Sequence, residues 1–180
     1  MLEDRHDAYR LLERLGAPPR LLRHLALVGE AADALIREYR ALGFEADMRW
    51  IELGVAVHDA GKILHASELD TPGHRHEADG EALLLRHGVA PKIAHCCVSH
   101  AAWDAEDVSF EEKSVALVDK LWKGKRETAL EMAIIDAVAE RLGVDRWDVF
   151  ERMDSAFEAI AAEGPERLES SRSDDGAWWV

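Results

Sequence analysis

Cysteine is nearly absent from this 180-residue chain, and the two it has, Cys96 and Cys97, are adjacent. Neighbouring cysteines cannot build a disulfide framework, so a reduced, cytoplasmic protein is expected. Long apolar runs are missing too. No uncharged stretch approaches the ~18 residues of a membrane span, and no membrane partner is expected. The opening Met1-Leu-Glu-Asp-Arg-His-Asp7 is acidic and lacks the apolar stretch of a signal peptide. Positive charge is scarce: 22 Lys and Arg against 36 Asp and Glu leave a formal net charge of −14. Such a surface repels a phosphate backbone and argues against long nucleic acids as partners. Neither alternating strand patterns nor internal repeats occur. What is present is a 48% hydrophobic composition, too high for a disordered chain, and a length that suits one domain. Nine histidines stand out, and their placement is the informative feature.

Almost every segment reads as helix. An amphipathic helix is expected from about Glu3 to Leu15, ending at Gly16. Pro18 and Pro19 suit the start of the next, because a missing N–H costs nothing there. Leu21, Leu25, Val28, Ala32, Leu35 and Tyr39 then recur at helical spacing until Gly43. A helix from about Ala46 to Ala60 contains the uncharged stretch Leu53-Gly-Val-Ala-Val-His58, which should be buried all round, with Gly61 as its C-cap. Residues 63–74 read as a loop. Helices from Arg75 to Arg86 and from Pro91 to about Trp103 follow. Ser109-Phe-Glu-Glu112 is a capping box opening a helix to about Lys123. Two more are expected, Glu127–Leu142 and Arg146–Ala162. The expectation is therefore an all-α bundle of about seven or eight helices over residues 1–163. Residues 164–180 read as a polar, mobile tail, whose Trp178-Trp179 could pack on the domain or on a second copy in a homodimer.

Several ionisable residues interrupt the apolar faces. His24 shares its face with Leu21 and Val28. His58 and Asp59 close the most apolar helix. An inward aspartate is costly unless paired or metal-bound, and a helix C-terminus disfavours its charge further. His76 continues to Gly80, Leu83 and Leu84, which favours it over His74. His100 shares a face with Ile93 and Cys97, and Asp119 sits among Val115, Val118 and Trp122. Each alone has a plain structural reading. Together they fall near the inward faces of five successive helices, which independent accidents do not explain.

Four imidazoles and two carboxylates make a mixed N/O site for one or two divalent transition ions. Iron or manganese suit it foremost, then cobalt, nickel or zinc, whereas Mg²⁺ prefers oxygen. His24, His58, Asp59 and Asp119 would hold one ion, and His76 and His100 a second beside a bridging Asp59. Two ions ~3.5–4 Å apart can activate a hydroxide and stabilise an in-line displacement at phosphorus. Lysines at 120, 123 and 125 and Arg126 cluster after Asp119, although lysines also suit helix C-termini electrostatically. Asp104, Glu68 and Glu77 are candidate general acids by proximity in sequence only. His6, His65 and His95 are not expected to be ligands, and the cysteines read as small core residues.

The ordered set H…HD…H…H…D resembles the HD-domain superfamily of metal-dependent phosphohydrolases. Val57-His58-Asp59-Ala60-Gly61-Lys62-Ile63 looks like its central motif, Asp119 like its closing aspartate and His24 like its opening histidine. The resemblance spans roughly residues 18–126. His76-Glu-Ala-Asp-Gly80 is similar to the corresponding helix of the two-metal branch, which includes bacterial diadenosine tetraphosphate hydrolases. It implies hydrolysis of a phosphate ester or anhydride of a small metabolite or nucleotide, with Asp59 and Lys62 catalytic. It also implies that Lys62 and Arg126 bind phosphate, with Lys120 and Lys123 beside them. A di-iron oxygenase on the same scaffold is the alternative, because iron with open positions can bind O₂.

Overall fold

A computed structural model of the protein describes residues 2–172. Among these there is no strand, and eight helices of seven residues or more carry the fold. They are α1 (Arg5–Arg14), α2 (Pro19–Ala41), α3 (Met48–Val57), α4 (Arg75–Arg86), α7 (Phe110–Leu121), α8 (Thr128–Leu142), α9 (Arg146–Ala162) and α10 (Gly164–Ser170). Two single-turn helices, α5 (Pro91–Ala94) and α6 (Cys96–Ser99), lie between α4 and α7. The all-α expectation holds. None of the described helices is long and apolar enough to cross a membrane.

Helix α3 is central. Residues 53–61 are buried without interruption, as the uncharged stretch requires. Ile51 and Val55 join one apolar cluster with α2, α7, α8 and α9. Leu53, Ala56 and Val57 join a second with α1, the start of α2, α4 and α5. Burying both faces of one helix places its C-terminal end deep in the bundle, and the His58-Asp59 doublet with it. At Gly54 a Cβ would lie 2.7 Å from Cys96 Sγ and 2.8 Å from Val115 Cγ2, so a side chain there would separate α3 from α6 and α7.

The helix ends differ from expectation where the chain bends around the doublet. Helix α3 stops at Val57, and a 3-10 turn, Ala60–Ile63, follows Asp59. Gly61 is therefore no left-handed C-cap. It is needed because a Cβ would lie 1.9 Å from the His76 carbonyl oxygen. Gly80 faces it, with a Cβ position 2.7 Å from Gly61 N. The two glycines let the turn after the doublet lie directly on α4. The segment read as a loop over 63–74 contains a second 3-10 turn, Ala66–Leu69. The expected single helix from Pro91 to Trp103 is split at His95, because hydrogen bonds there alternate between three- and four-residue spacing.

The Ser109 capping box is present: Ser109 Oγ accepts from Glu112 N and Glu112 Oε2 accepts from Ser109 N. Residues 164–170, expected in a polar tail, instead form α10. Arg167 is buried, and its Nη1 donates to the Ile160 carbonyl at 2.7 Å. Gly164 lies on the turn after α7, where a Cβ would come within 2.2 Å of Gly124 N. Trp178 and Trp179 lie outside the described residues.

Replacing Gly61 by Ala forces the 3-10 turn and α4 apart. The expected loss is about 1–3 kcal/mol, the usual cost of overpacking, read as a lower urea midpoint at unchanged m-value. A variant as stable as the parent would contradict this close approach.

Candidate metal centre

Six side chains converge where α2, α3, α4, α6 and α7 meet. His58, Asp59, His76, His100 and Asp119 are buried, and His24 is half-buried. They form two sets, His24–His58–Asp119 and Asp59–His76–His100, and within each set the ligand-type atoms all lie within 4.8 Å of one another. These are the six residues the sequence singled out as ligands. Asp59 joins the sets through different oxygens. Its Oδ2 is 2.8 Å from His24 Nε2 and 3.6 Å from His58 Nε2, while its Oδ1 is 3.2 Å from His76 Nε2 and 4.0 Å from His100 Nε2. Asp119 Oδ1 is 3.6 Å from His58 Nε2.

The hydrogen bonds at the far side of each ring fix the tautomers. His58 Nδ1–H donates to the Val55 carbonyl at 2.8 Å, and His100 Nδ1–H to the Cys96 carbonyl at 3.0 Å. His76 Nδ1–H donates to Glu68 Oε2 at 2.6 Å. A neutral imidazole that donates from Nδ1 presents a lone pair at Nε2. Three lone pairs thus face carboxylate oxygens across the centre. His58 Nε2 is buried and has no hydrogen-bond partner among the described residues. Acceptors facing acceptors in a buried place need a cation or a proton between them. The donor set therefore fits divalent metal ions.

Charge on these groups follows from the same geometry. Burial pushes the His24 imidazolium down, more strongly than neighbouring Asp59 pushes it up. Burial and then the neighbouring His58 lower His100 to about 4, so it is neutral and ready to ligate. Burial also depresses His58 and His76, but the carboxylates around them outweigh it and both end raised. Burial raises Asp59, yet His58, His24 and His76 hold it well below the ordinary carboxylate range. Asp119 is held down likewise, by His58 and Lys123 against burial. Both carboxylates are anions in the folded protein. Burial raises the Cys96 thiol to about 12 and holds Cys97 well above its ordinary value, as suits buried core thiols.

The centre forms the floor of a cavity of about 490 Å³. Lys62 and Lys123 line it, as expected, with Nζ atoms 2.6 Å from Asp59 Oδ2 and 3.0 Å from Asp119 Oδ2. Lys120 Nζ reaches Asp119 Oδ2 at 3.7 Å but does not line the cavity. Arg126 is not at the site. It makes a two-pronged bond to Glu131 at 2.7 and 2.8 Å and another to Asp154, and these carboxylates raise its pKa further. The phosphate-binding role expected for Arg126 is thereby corrected, since it does not line the cavity and its Nε and Nη2 join α8 to α9.

The sequence reading missed Arg20, Leu69, Asp70, Leu168, Ser171 and Arg172, which also line the cavity. Arg20 stands one helical turn before His24, a signal that was available. The residues of α10 and beyond carried none, because they read as tail. Glu68 contacts a ligand histidine, whereas Glu77 bonds the exposed His74 and Asp104 does not line the cavity. His95 is turned toward Glu81, 2.9 Å away, consistent with its exclusion as a ligand. Compared with protein-family models, curated proteins and solved structures, the chain finds no match.

Addition of Mn²⁺ or Co²⁺ to chelator-treated protein is expected to raise its stability by about 2.7 kcal/mol at a hundredfold excess over Kd. His58→Ala should abolish one of two binding events seen by calorimetry. No binding to the parent chain would sink the metal reading. Arg126→Ala should cost about 1–3 kcal/mol by leaving the buried Glu131 carboxylate without its cation, held only by the Glu127 amide, and should leave ion stoichiometry unchanged.

Proposed function

We propose that this protein is a metal-dependent phosphohydrolase of the HD-domain kind, acting on a phosphate ester or anhydride of a small metabolite or nucleotide. The observation that carries the reading is the paired His/Asp sets, linked by the two oxygens of Asp59, at the floor of a cavity walled by Lys62 and Lys123. His24, His58, Asp119, Asp59, His76 and His100 would hold one or two ions, iron or manganese by donor type. Bound there, divalent ions supply water acidified to near neutral pH and neutralise charge building up on a phosphoryl group.

The chain's own groups account for the rest. The carbonyls of Val55 and Cys96 and the carboxylate of Glu68 hold protons on the Nδ1 atoms of His58, His100 and His76, which keeps every Nε2 turned inward. Lys62 and Lys123 stand beside the two site carboxylates, where they can take phosphate oxygens as ligands in exchange. Arg20 and Arg172 add positive charge farther along the wall. Burial of the floor keeps the polar groups in a low-dielectric place, where their charges act strongly. Glu68 is unsuited to donate a proton, since burial raises it but its bonds from His76 and Arg75 hold it below its usual range.

A phosphate-release screen over nucleotides, dinucleoside polyphosphates and sugar phosphates, with Mn²⁺, Fe²⁺ or Co²⁺ present, tests the proposal. At least one substrate class should turn over. Lys62→Ala and Lys123→Ala should each lower kcat/KM by roughly tenfold or more, in line with a lost charged hydrogen bond. No turnover of any phosphate, together with substrate-dependent O₂ uptake by the iron-loaded protein, would replace this reading with the oxygenase one.

A further inference from the structure

One histidine of the second set, His76, is anchored differently from His58 and His100. His58 and His100 lean on backbone carbonyls in the helical turns that carry them, at Val55 and Cys96. His76 leans on a side chain eight residues back, in the segment between the 3-10 turn at 60–63 and α4. Glu68 Oε2 accepts from His76 Nδ1 at 2.6 Å and from His76 N at 3.2 Å, and Oε1 accepts from Arg75 N at 3.3 Å. One carboxylate therefore serves two tasks. It satisfies the free amides at the start of α4, a place that favours negative charge, and it holds the tautomer of a ligand.

The segment is shaped around this contact. A Cβ at Gly73 would lie 2.4 Å from Glu68 Cδ, so a side chain there would displace the carboxylate from its present place. The residues after Glu68, Leu69 and Asp70, line the cavity. Asp70 Oδ1 accepts from Arg20 Nη1 at 2.6 Å, which closes the segment onto the start of α2.

We infer that Glu68 is a positioning residue for the Asp59–His76–His100 set, and that ion binding there is coupled to the order of residues 64–74, of which Leu69 and Asp70 line the cavity. The inference rests on the two-ion reading of the centre. An ion on His76 Nε2 polarises the ring and strengthens the bond from Nδ1–H to Glu68. By reciprocity, the Glu68 contact strengthens the ion's hold. The His24–His58–Asp119 set has no such tie to this segment.

The test is calorimetric titration of the chelator-treated full chain with Mn²⁺, comparing the parent, Glu68→Gln and His58→Ala. Glu68→Gln keeps an acceptor for the α4 amides but loses the charge. One of the parent's two binding events should weaken by about 10–100-fold in this variant, and the other should stay within error. In the parent, Mn²⁺ should also slow amide hydrogen exchange across residues 64–74, and in Glu68→Gln it should not. Far-UV circular dichroism establishes that the variant is folded. If it is not, Gly73→Ala, which displaces the same carboxylate, serves in its place with the same expectation. Two events of parental affinity in a folded variant would overturn the inference. So would equal weakening of both, which is what a helix cap without a role at the ligand would give. A parent that binds no Mn²⁺ at all fails earlier, and defeats the two-ion reading itself.

Discussion

The buried carboxylate of Asp59 is the constraint around which the rest of the bundle is organised. It stands just past the C-terminal end of α3, where the helix dipole opposes its charge, and only a few per cent of it is exposed. An isolated carboxylate there would be protonated or would unfold its surroundings. It stays ionised because four imidazoles and Lys62 surround it. Each of those side chains must come from a different place in the chain, or from the turn beside it. That demand explains features that otherwise look unrelated: the apolar α3 driven through the centre, the glycine pair at 61 and 80 that presses α4 against the turn, and Gly54, which admits α6 and α7.

The acidic balance of the chain and the lysines and arginines of its cavity are compatible because they act over different distances. A net charge of −14 is a property of the whole surface, and salt screens it within about 8 Å at physiological ionic strength. The cavity is lined at contact range by Lys62, Lys123, Arg20 and Arg172, three of them paired with the lining carboxylates of Asp59, Asp119 and Asp70. A small anion inside the cavity meets these local cations and would compete with the carboxylates for them. A long polyanion would have to lie on the acidic surface as well. The same whole-chain charge that disfavours nucleic acid is therefore no obstacle to a small phosphate.

Much of the fold was legible because it rests on helical periodicity, and α2, α4, α7, α8 and α9 fall close to where the apolar spacing puts them. The ligand set was legible for a related reason: each residue is a polar interruption of an apolar face, and burial turns such interruptions toward one another. The misreadings have local causes. Gly61 resembles a C-cap in sequence, but its role is set by a carbonyl from α4, a partner fifteen residues away. Arg126 follows Asp119 closely along the chain, yet Glu131 and Asp154 on α8 and α9 compete for its guanidinium and win. Polar composition made the segment after residue 163 look like tail, whereas Arg167 within it is buried and bonds Glu163 and the Ile160 carbonyl. Proximity in sequence is a weak guide to a long side chain, whose reach spans several alternative partners.

The histidines of the centre differ in what holds them, and His76 is the one held from a connecting segment. An imidazole fixed by a carbonyl of its own helical turn is as rigid as that turn. His58 and His100 are of this kind, and the His58 ring is wholly buried. An imidazole fixed by a carboxylate from a connecting segment is rigid only while that segment keeps its place. His76 is of this kind, and its segment also forms part of the cavity wall. Leu69 and Asp70, which follow Glu68 in the chain, are part of that wall. Contacts along Leu69 and Asp70 are thus mechanically continuous with Glu68 and, through it, with the second ligand set. With His58 and His100 held by their own helical turns and His76 held from the cavity wall, the core of the bundle and the lining segment meet at one cluster of side chains.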